Sequence, residues 1–139
     1  MLNINYENVA VRLIEQIPEF TQTYKNHLEY NDGEALPHIL FGELVIFTAK
    51  ICQRSAEAGD VHAQVVLDRI FDFIEDAANC EDKDVINLVM VSYMENIPKP
   101  GLTGPYGEFI KAKLKPKSRE LLHLIDEFWD NTQNHSDRV

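Results

Sequence analysis

Cysteine is scarce in this sequence, and its scarcity restricts both the compartment and the kind of fold. Only Cys52 and Cys80 occur among 139 residues, whereas small secreted domains that depend on disulfides are much richer in cysteine. Two such thiols are typical of a reduced protein, and Cys52 falls in an apolar segment where a buried, neutral thiol is expected. The sequence therefore predicts a cytoplasmic protein without a disulfide scaffold.

Long hydrophobic runs are also missing. No apolar stretch approaches the roughly 20 residues that are needed to cross a bilayer. The first residues, Met1 to Asn5, lack the basic region and the long apolar core of a secretory signal. We therefore expect neither a membrane anchor nor export, which agrees with a cytoplasmic location.

Positive charge is in short supply. The chain has 13 Lys and Arg against 23 Asp and Glu, a net charge of −10. The imbalance lies in residues 1–98, with 17 acidic and 6 basic side chains, while residues 99–139 hold 6 and 7. Such a surface repels a phosphate backbone, which argues against nucleic acid as the main partner, and it attracts a basic protein. Acidity can equally serve only to keep the protein in solution.

Signatures of catalysis, metal binding and cofactor binding are absent from the sequence as well. It contains no Gly-x-Ser-x-Gly, phosphate loop, paired-cysteine or His-Glu-x-x-His motif. Glu120-x-x-His123 has the spacing used in di-iron carboxylate bundles, but such a site needs a second copy of the motif. Beside Cys80, the acidic Glu81 and Asp82 should raise the thiol pKa and so keep it unreactive. We predict a binding protein that is not an enzyme and carries no metal or cofactor.

Helical periodicity is what the sequence does contain. Apolar residues recur every three to four positions, with caps and breakers between the runs. Helices are predicted over residues 6–17, 18–30, 38–58, 61–79, 82–97, 106–114 and 116–129. Because short links favour antiparallel neighbours, we predict one all-α domain over residues 1–130. Its architecture would be about seven helices in antiparallel hairpins, as a bundle or a short armadillo/HEAT-like stack, followed by a polar, frayed tail over residues 131–139.

Four local expectations accompany this architecture. The helix over residues 38–58 is apolar nearly all round and should be the most buried, with Gly42 permitting close contact with another helix. Residues 85–91 could alternatively form a buried strand, but the acidic first turn before them favours helix. Residues 98–105, rich in proline and glycine, should form the main loop. The buried side of the last helix should consist of Leu121, Leu122, Leu124, Ile125, Phe128 and Trp129.

The most concentrated acidic segment lies on one face of the predicted helix over residues 61–79 and in the turn after it. Its members are Asp68, Asp72, Glu75, Asp76, Glu81, Asp82 and Asp84. Two interpretations stay open, a solvated face of an amphipathic helix or a docking surface for a basic protein. An alternating basic run also occurs, which we interpret mainly as solubilising, with pairing to the acidic half as an option: Lys111, Lys113, Lys115, Lys117 and Arg119.

Four stretches together resemble a family of small bacterial all-helical proteins. They cover residues 31–44, 69–75, 91–96 and 114–122, and the family is marked by Leu-Pro, then Phe-Gly-Asp/Glu, then Val-Ser-Phe/Tyr-x-Glu. These motifs appear here as Leu36-Pro37, Phe41-Gly42-Glu43 and Val91-Ser92-Tyr93-Met94-Glu95. The resemblance spans about residues 31–129 and makes Glu43 and Glu95 the motif carboxylates, with either a structural or a functional role. It implies an armadillo-like or HEAT-like helical fold.

Some members of that family resemble immunity proteins of contact-dependent growth inhibition or other polymorphic toxin systems. The resemblance thus implies a protein that binds a cognate bacterial toxin, most simply a nuclease, and covers its active site or substrate groove. Since the nucleic-acid groove of a nuclease must be basic, an acidic helical face would suit this task. The alternative is a helical interaction scaffold or regulatory module with another cellular partner.

Overall fold

A computed structural model describes the backbone of residues 3–136 and the side chains of residues 3–128. The regular secondary structure of the described residues is entirely helical and includes no β-strand, which confirms the all-α prediction and its helical bundle. The helices are α1 (Val9–Gln16), α2 (Thr21–Tyr30), α3 (Pro37–Ala58), α4 (Val61–Ala78), α5 (Lys83–Leu88), α6 (Pro100–Thr103), α7 (Gly107–Lys113) and α8 (Pro116–Ser136). None of them, within residues 3–136, is long and apolar enough to span a membrane.

Helix α3 forms the centre of the bundle, as the sequence predicted. It starts with Pro37 in its first turn, where a missing N–H costs nothing, and it ends at Gly59 in the left-handed conformation with φ of 63°. It packs against α4, α6 and the segment after α5. Its burial is one-sided, however, because Ile39 is 50% exposed. The role expected of Gly42 is also wrong, since an added Cβ would lie an ordinary 3.8 Å from Asn96 Nδ2.

The segment after α4 is helical, and the strand alternative for residues 85–91 is excluded. Asp82 caps α5, accepting a hydrogen bond from Asp84 N at 2.9 Å. The chain then widens into a π turn (Val89–Tyr93) and tightens into a 3-10 turn (Met94–Asn96). Because the π turn adds a residue to the helical repeat, it turns Tyr93 fully into the core, where its hydroxyl lies 3.1 Å from Thr48 Oγ1.

The proline-rich segment over residues 98–105 is not the open loop that its composition predicted. It forms α6 and a 3-10 turn (Gly104–Tyr106), each with a proline in its first turn. Proline has a backbone φ close to the helical value and lacks only an N–H that a first turn does not use. Thr103 fixes the segment further by donating its hydroxyl to the Ile97 carbonyl at 2.8 Å.

Gly107, at the start of α7, is the glycine that the packing requires. A Cβ there would lie 2.8 Å from the backbone oxygen of Ile97. We expect Gly107→Ala to lower the free energy of unfolding by roughly 1–2 kcal/mol, because backbone must move to relieve the contact. Gly101→Ala is the matched control, as a Cβ there meets nothing within 4 Å, and it should leave chemical denaturation unchanged or slightly more stable. Equal effects of the two alanines would refute the packing argument.

Helix α8 buries only part of the side expected from the sequence. Leu121, Leu122 and Ile125 lie in the core, whereas Leu124 and Phe128 are 50% and 61% exposed. The expectation for these two residues is therefore wrong, because α8 contacts the bundle along one stripe only, chiefly through α4 and the 3-10 turn (Met94–Asn96). The Trp129 side chain lies outside the described residues, as do the side chains of the predicted tail over residues 131–139.

Candidate functional site

Helix α4 presents part of the predicted acidic segment to solvent. Asp60 starts the helix by accepting a hydrogen bond from Ala63 N at 3.2 Å. One side of the helix is then buried through residues such as Ile70 and Ile74. Asp68 and Asp72, which fall on the opposite side, are exposed. Amphipathic folding of α4 therefore places these two carboxylates at the surface.

The carboxylates further along α4 are partly used within the fold. Glu75 accepts hydrogen bonds from Lys117 N at 2.9 Å and from Ser118 N and Ser118 Oγ, both at 2.8 Å. It thus caps the N-terminus of α8 from a neighbouring helix, where the orphan N–H groups favour an anion. Asp72 forms an ion pair with Lys115. The optional pairing between the basic run and the acidic half therefore occurs at Lys115.

Glu75 and Asp76 have carboxyl pKa values shifted in opposite directions. Burial by itself raises the pKa of Glu75, but the hydrogen bonds from Lys117 and Ser118 outweigh it and leave the pKa below its usual value. The pKa of Asp76 is raised by burial and by the negative charge of Asp72. The surroundings therefore favour the ionised form of Glu75 and disfavour that of Asp76.

The acidic residues after α4 form a separate group, which lies beside the N-terminal segment. Asp82 accepts a hydrogen bond from Tyr6 N at 2.8 Å, which lowers its pKa and ties the N-terminal segment to α5. Asp82 and the exposed Asp84 line a shallow depression of about 470 Å³ together with Asn5, Tyr6 and Glu7. Glu81 is exposed one residue earlier. Sequence reasoning missed that Glu7 belongs to this group. Its neighbour Tyr6 and Asp82 are 76 positions apart, and nothing in the local sequence predicts that they meet.

A hollow lies between α4 and α7, beside Asp68. Its volume is about 380 Å³, and its lining residues are Ser55, Gln64, Leu67, Asp68, Phe71, Phe109 and Lys113. Leu67 and Phe71 are nearly fully buried and form an apolar floor, while Phe109 is 39% exposed. The Lys113 ammonium lies 5.5 Å from the centre of the Phe109 ring, a distance at which a cation interacts with an aromatic face. We call this feature the α4/α7 hollow.

The motif carboxylate Glu43 belongs to a buried polar network. His27 has a fully buried side chain, and its Nε2 accepts a hydrogen bond from Leu36 N at 2.9 Å. In the neutral ring the proton is therefore on Nδ1, which donates to Glu43 Oε1 at 3.1 Å. Glu43 Oε2 is buried and has no hydrogen-bond partner among the described residues. The network fixes the connection between α2 and α3.

Glu95, the second motif carboxylate, lies half-buried on the 3-10 turn and outside this network. Its motif neighbour Ser92 is instead 2.6 Å from His38 Nδ1, and Asn96 donates its side-chain amide to the Ser92 carbonyl at 2.8 Å. Ser92 is only 5% exposed. The pair of Ser92 and His38 therefore ties the start of α3 to the π turn, and it does not present an accessible nucleophile.

The two cysteine thiols are not activated for nucleophilic chemistry. Burial raises the pKa of Cys52 to about 11. Burial and the charges of Asp82 and Glu81 also raise the pKa of Cys80, as the sequence predicted.

Glu120, from the Glu120-x-x-His123 motif, forms an ion pair with Lys117 at 3.5 Å. Among the described side chains, no group of three or more His, Cys, Asp or Glu residues is placed to hold a metal ion.

The fold and this surface together define a small all-helical domain with an acidic α4 face next to a hollow that has a mixed polar and apolar lining. Residues 10–130 match the family described as "Domain of unknown function (DUF7674)", and the chain belongs to this family. The matched residues include the whole stretch, about residues 31–129, over which the motif resemblance extends. Neither the comparison with curated proteins nor that with solved structures found a matching protein.

Proposed function

We propose that this protein works by binding a basic protein domain, which docks on the acidic face of α4 and inserts a side chain into the α4/α7 hollow. The observation that carries the proposal is the combination of an apolar floor, formed by Leu67 and Phe71, with the exposed carboxylate of Asp68 at its edge. Binding energy at protein interfaces concentrates in such desolvated pockets, and their rims stay polar.

The chemistry of the hollow favours an arginine or lysine of the partner as the inserted residue. An aliphatic stem can pack on the floor while its charged head reaches Asp68. The Lys113 ammonium lies 5.5 Å from the centre of the Phe109 ring, so an inserted cation would have to take the place of this ammonium on the ring. Further along the exposed side of α4, Val65 and Val61 are 41% and 72% exposed and extend the apolar contact area. A net charge of −10 would speed the approach of a basic partner.

A bacterial toxin domain is the partner that the family resemblance implies. A nuclease toxin needs a basic groove for its substrate, and an acidic helical surface that occupies the groove would block catalysis without performing any chemistry. In this role the protein is a cytoplasmic immunity protein. A basic regulatory or scaffold partner is the second candidate, supported by the same surface.

The docking surface is tested by reversing one charge and matching it with a control. We expect Asp68→Lys to slow association with the basic partner about 10-fold at low salt, because attraction is replaced by repulsion. Glu29→Lys on α2, also at an exposed site, changes the net charge equally and should have a much smaller effect. Stopped-flow association rates at several salt concentrations provide the measurement. Equal slowing by both variants would show that only net charge matters.

The identity of the partner is tested by co-expression with the product of the adjacent gene. If that product is a toxin, growth is expected to be rescued and a stable complex to be purified. Phe109→Ala should then speed dissociation, since it removes one wall of the α4/α7 hollow. A complex without toxicity would favour the regulatory partner, and the lack of both rescue and complex would contradict the immunity role.

A further inference from the structure

A second depression, on the outer side of α3, is distinct from the acidic α4 face. Its volume is about 310 Å³, and it is lined by Thr23, Glu43, Ile46, Phe47, Lys50 and Arg54. Four of these residues, at positions 43, 47, 50 and 54, follow the spacing of one helical stripe. Because the lining includes the motif residue Glu43, we call it the Glu43 depression.

One end of the Glu43 depression offers an unused hydrogen-bond acceptor. The Glu43 carboxylate is fixed through Oε1 by the buried His27, while Oε2 is buried without a partner among the described residues. A buried carboxylate oxygen left in this state costs free energy. The Glu43 side chain is 30% exposed and lines the depression, whereas Oε2 itself is shielded, so a bound donor would reach it through a turn about the soft final torsion of the side chain. The group that satisfies it best is an ammonium.

The other end of the depression is cationic. Lys50 and Arg54 are exposed side chains one helical turn apart, and neither forms an ion pair within the described part of the chain. Side chains of a helix lean toward its N-terminus, which directs both cations toward Glu43. In a chain with an excess of carboxylates, two adjacent unpaired cations present a site for an anionic group.

We propose that the Glu43 depression binds a small zwitterion, an α-amino acid with an apolar side chain. Its ammonium would contact Glu43 and its carboxylate Lys50 and Arg54. Seven residues of helix separate the Cα atoms of Glu43 and Lys50 by about 10 Å. A zwitterion whose charged atoms are about 3 Å apart, with two contacts of about 3 Å, needs the charged ends of the two side chains to lie roughly 9 Å apart, a separation that the flexible Lys50 side chain can adopt above this stretch of helix.

The middle of the depression would hold the apolar side chain of the bound amino acid. Ile46 and Phe47 form its floor and are only partly buried by the fold, with Phe47 held edge-on to Phe20 at 5.2 Å between ring centres. An aliphatic group placed there would remove further apolar surface from water. A volume of about 310 Å³ is enough for a single leucine-sized molecule. The depression shares no lining residue with the α4/α7 hollow, so the site acts independently of the proposed docking surface.

The test is an NMR titration of the ¹⁵N-labelled protein with L-leucine, isoamylamine and 4-methylpentanoate. All three probes have the same kind of apolar group. L-Leucine carries both charges, isoamylamine carries only the ammonium, and 4-methylpentanoate carries only the carboxylate. We expect saturable shifts around residues 43–54 with L-leucine, and at least 10-fold weaker binding of the other two. Equal binding of 4-methylpentanoate would overturn the proposal in favour of a plain anion site, and the absence of a saturable shift with L-leucine at millimolar concentration would overturn it outright.

Variants assign the two ends of the site. Glu43→Gln keeps an acceptor for His27, so thermal unfolding should show a folded protein, while leucine affinity falls at least 10-fold. Lys50→Met should weaken leucine binding comparably and leave the weak binding of isoamylamine unchanged. Glu29→Gln and Lys25→Met on α2, both at exposed sites, are the matched controls and should bind leucine like the unsubstituted protein. Unchanged binding by Glu43→Gln and Lys50→Met would contradict the assignment.

Discussion

Replacing His27 with alanine should lower the free energy of unfolding by about 3–5 kcal/mol, the largest effect expected here. The substitution leaves the Leu36 N–H without its acceptor and Glu43 without its donor. It also creates a cavity where a fully buried ring stood. Chemical denaturation measures the change, and a drop in melting temperature on the order of 10–20 °C should accompany it.

Two amide replacements of His27 divide this effect between its two hydrogen bonds. In His27→Asn, the new side-chain amide nitrogen can take the position of Nδ1 and donate to Glu43. In His27→Gln, the new side-chain oxygen can take the position of Nε2 and accept from Leu36 N. We expect each variant to retain more stability than His27→Ala. If all three variants lose the same amount, packing of the ring and not its hydrogen bonds determines the stability.

Removing the Glu75 carboxylate is expected to lower the free energy of unfolding by about 2–3 kcal/mol, the second largest effect. Glu75→Ala eliminates three hydrogen bonds to the start of α8, from Lys117 N, Ser118 N and Ser118 Oγ. Since Glu75 is partly exposed, water compensates for some of the loss, which places the value below that for His27. Hydrogen exchange should show faster opening of α8 than of α3.

Two further measurements test the role of Glu75: a control substitution at the neighbouring Asp72, and the dependence of the free energy of unfolding on pH. Asp72→Ala removes a surface ion pair with Lys115 and should cost less than about 1 kcal/mol. The pKa of Glu75 is lowered from 4.5 in the folded protein, so its contribution is fully present above that value. It is lost as pH falls through the lower, folded pKa. Glu75→Gln should flatten this part of the stability profile, and an unchanged profile would show that another carboxylate is responsible.

The helices were predictable because their signals are local. Apolar spacing, Asp82 as a cap and Gly59 as a stop act within a few residues, and the structure confirms helices at all these places. The predictions were wrong where contacts with distant residues decided the structure, because local composition does not indicate those contacts. The prolines at 98, 100 and 105 indicated a loop, but each of the latter two lies in the first turn of a helical element that packs against α3.

The candidate site was predictable only in part, since it depends on which distant residues meet. The acidic segment could be read from the sequence, but not that Glu75 caps α8 or that Asp82 binds Tyr6 N. Likewise, the apolar Leu124 and Phe128 have the same pattern as the buried Leu121 and Ile125, and only the position of neighbouring helices leaves them exposed. The alternating basic run left pairing with the acidic half open, but it did not indicate that Lys115 would be the residue that pairs or that Asp72 would be its partner.

The sequence by itself determined that the protein is all-helical and strongly acidic, and it placed Asp68 and Asp72 on an exposed helical face. Periodicity, caps and net charge are properties of neighbouring residues, so no tertiary information was needed for them. Only the tertiary structure decided which carboxylates form hydrogen bonds within the fold, and where a hollow lies next to a carboxylate that remains at the surface. Burial and hydrogen bonding at Glu43, Glu75 and Asp82 come from residues 16 to 76 positions away, and contacts at such separations leave no pattern in the local sequence.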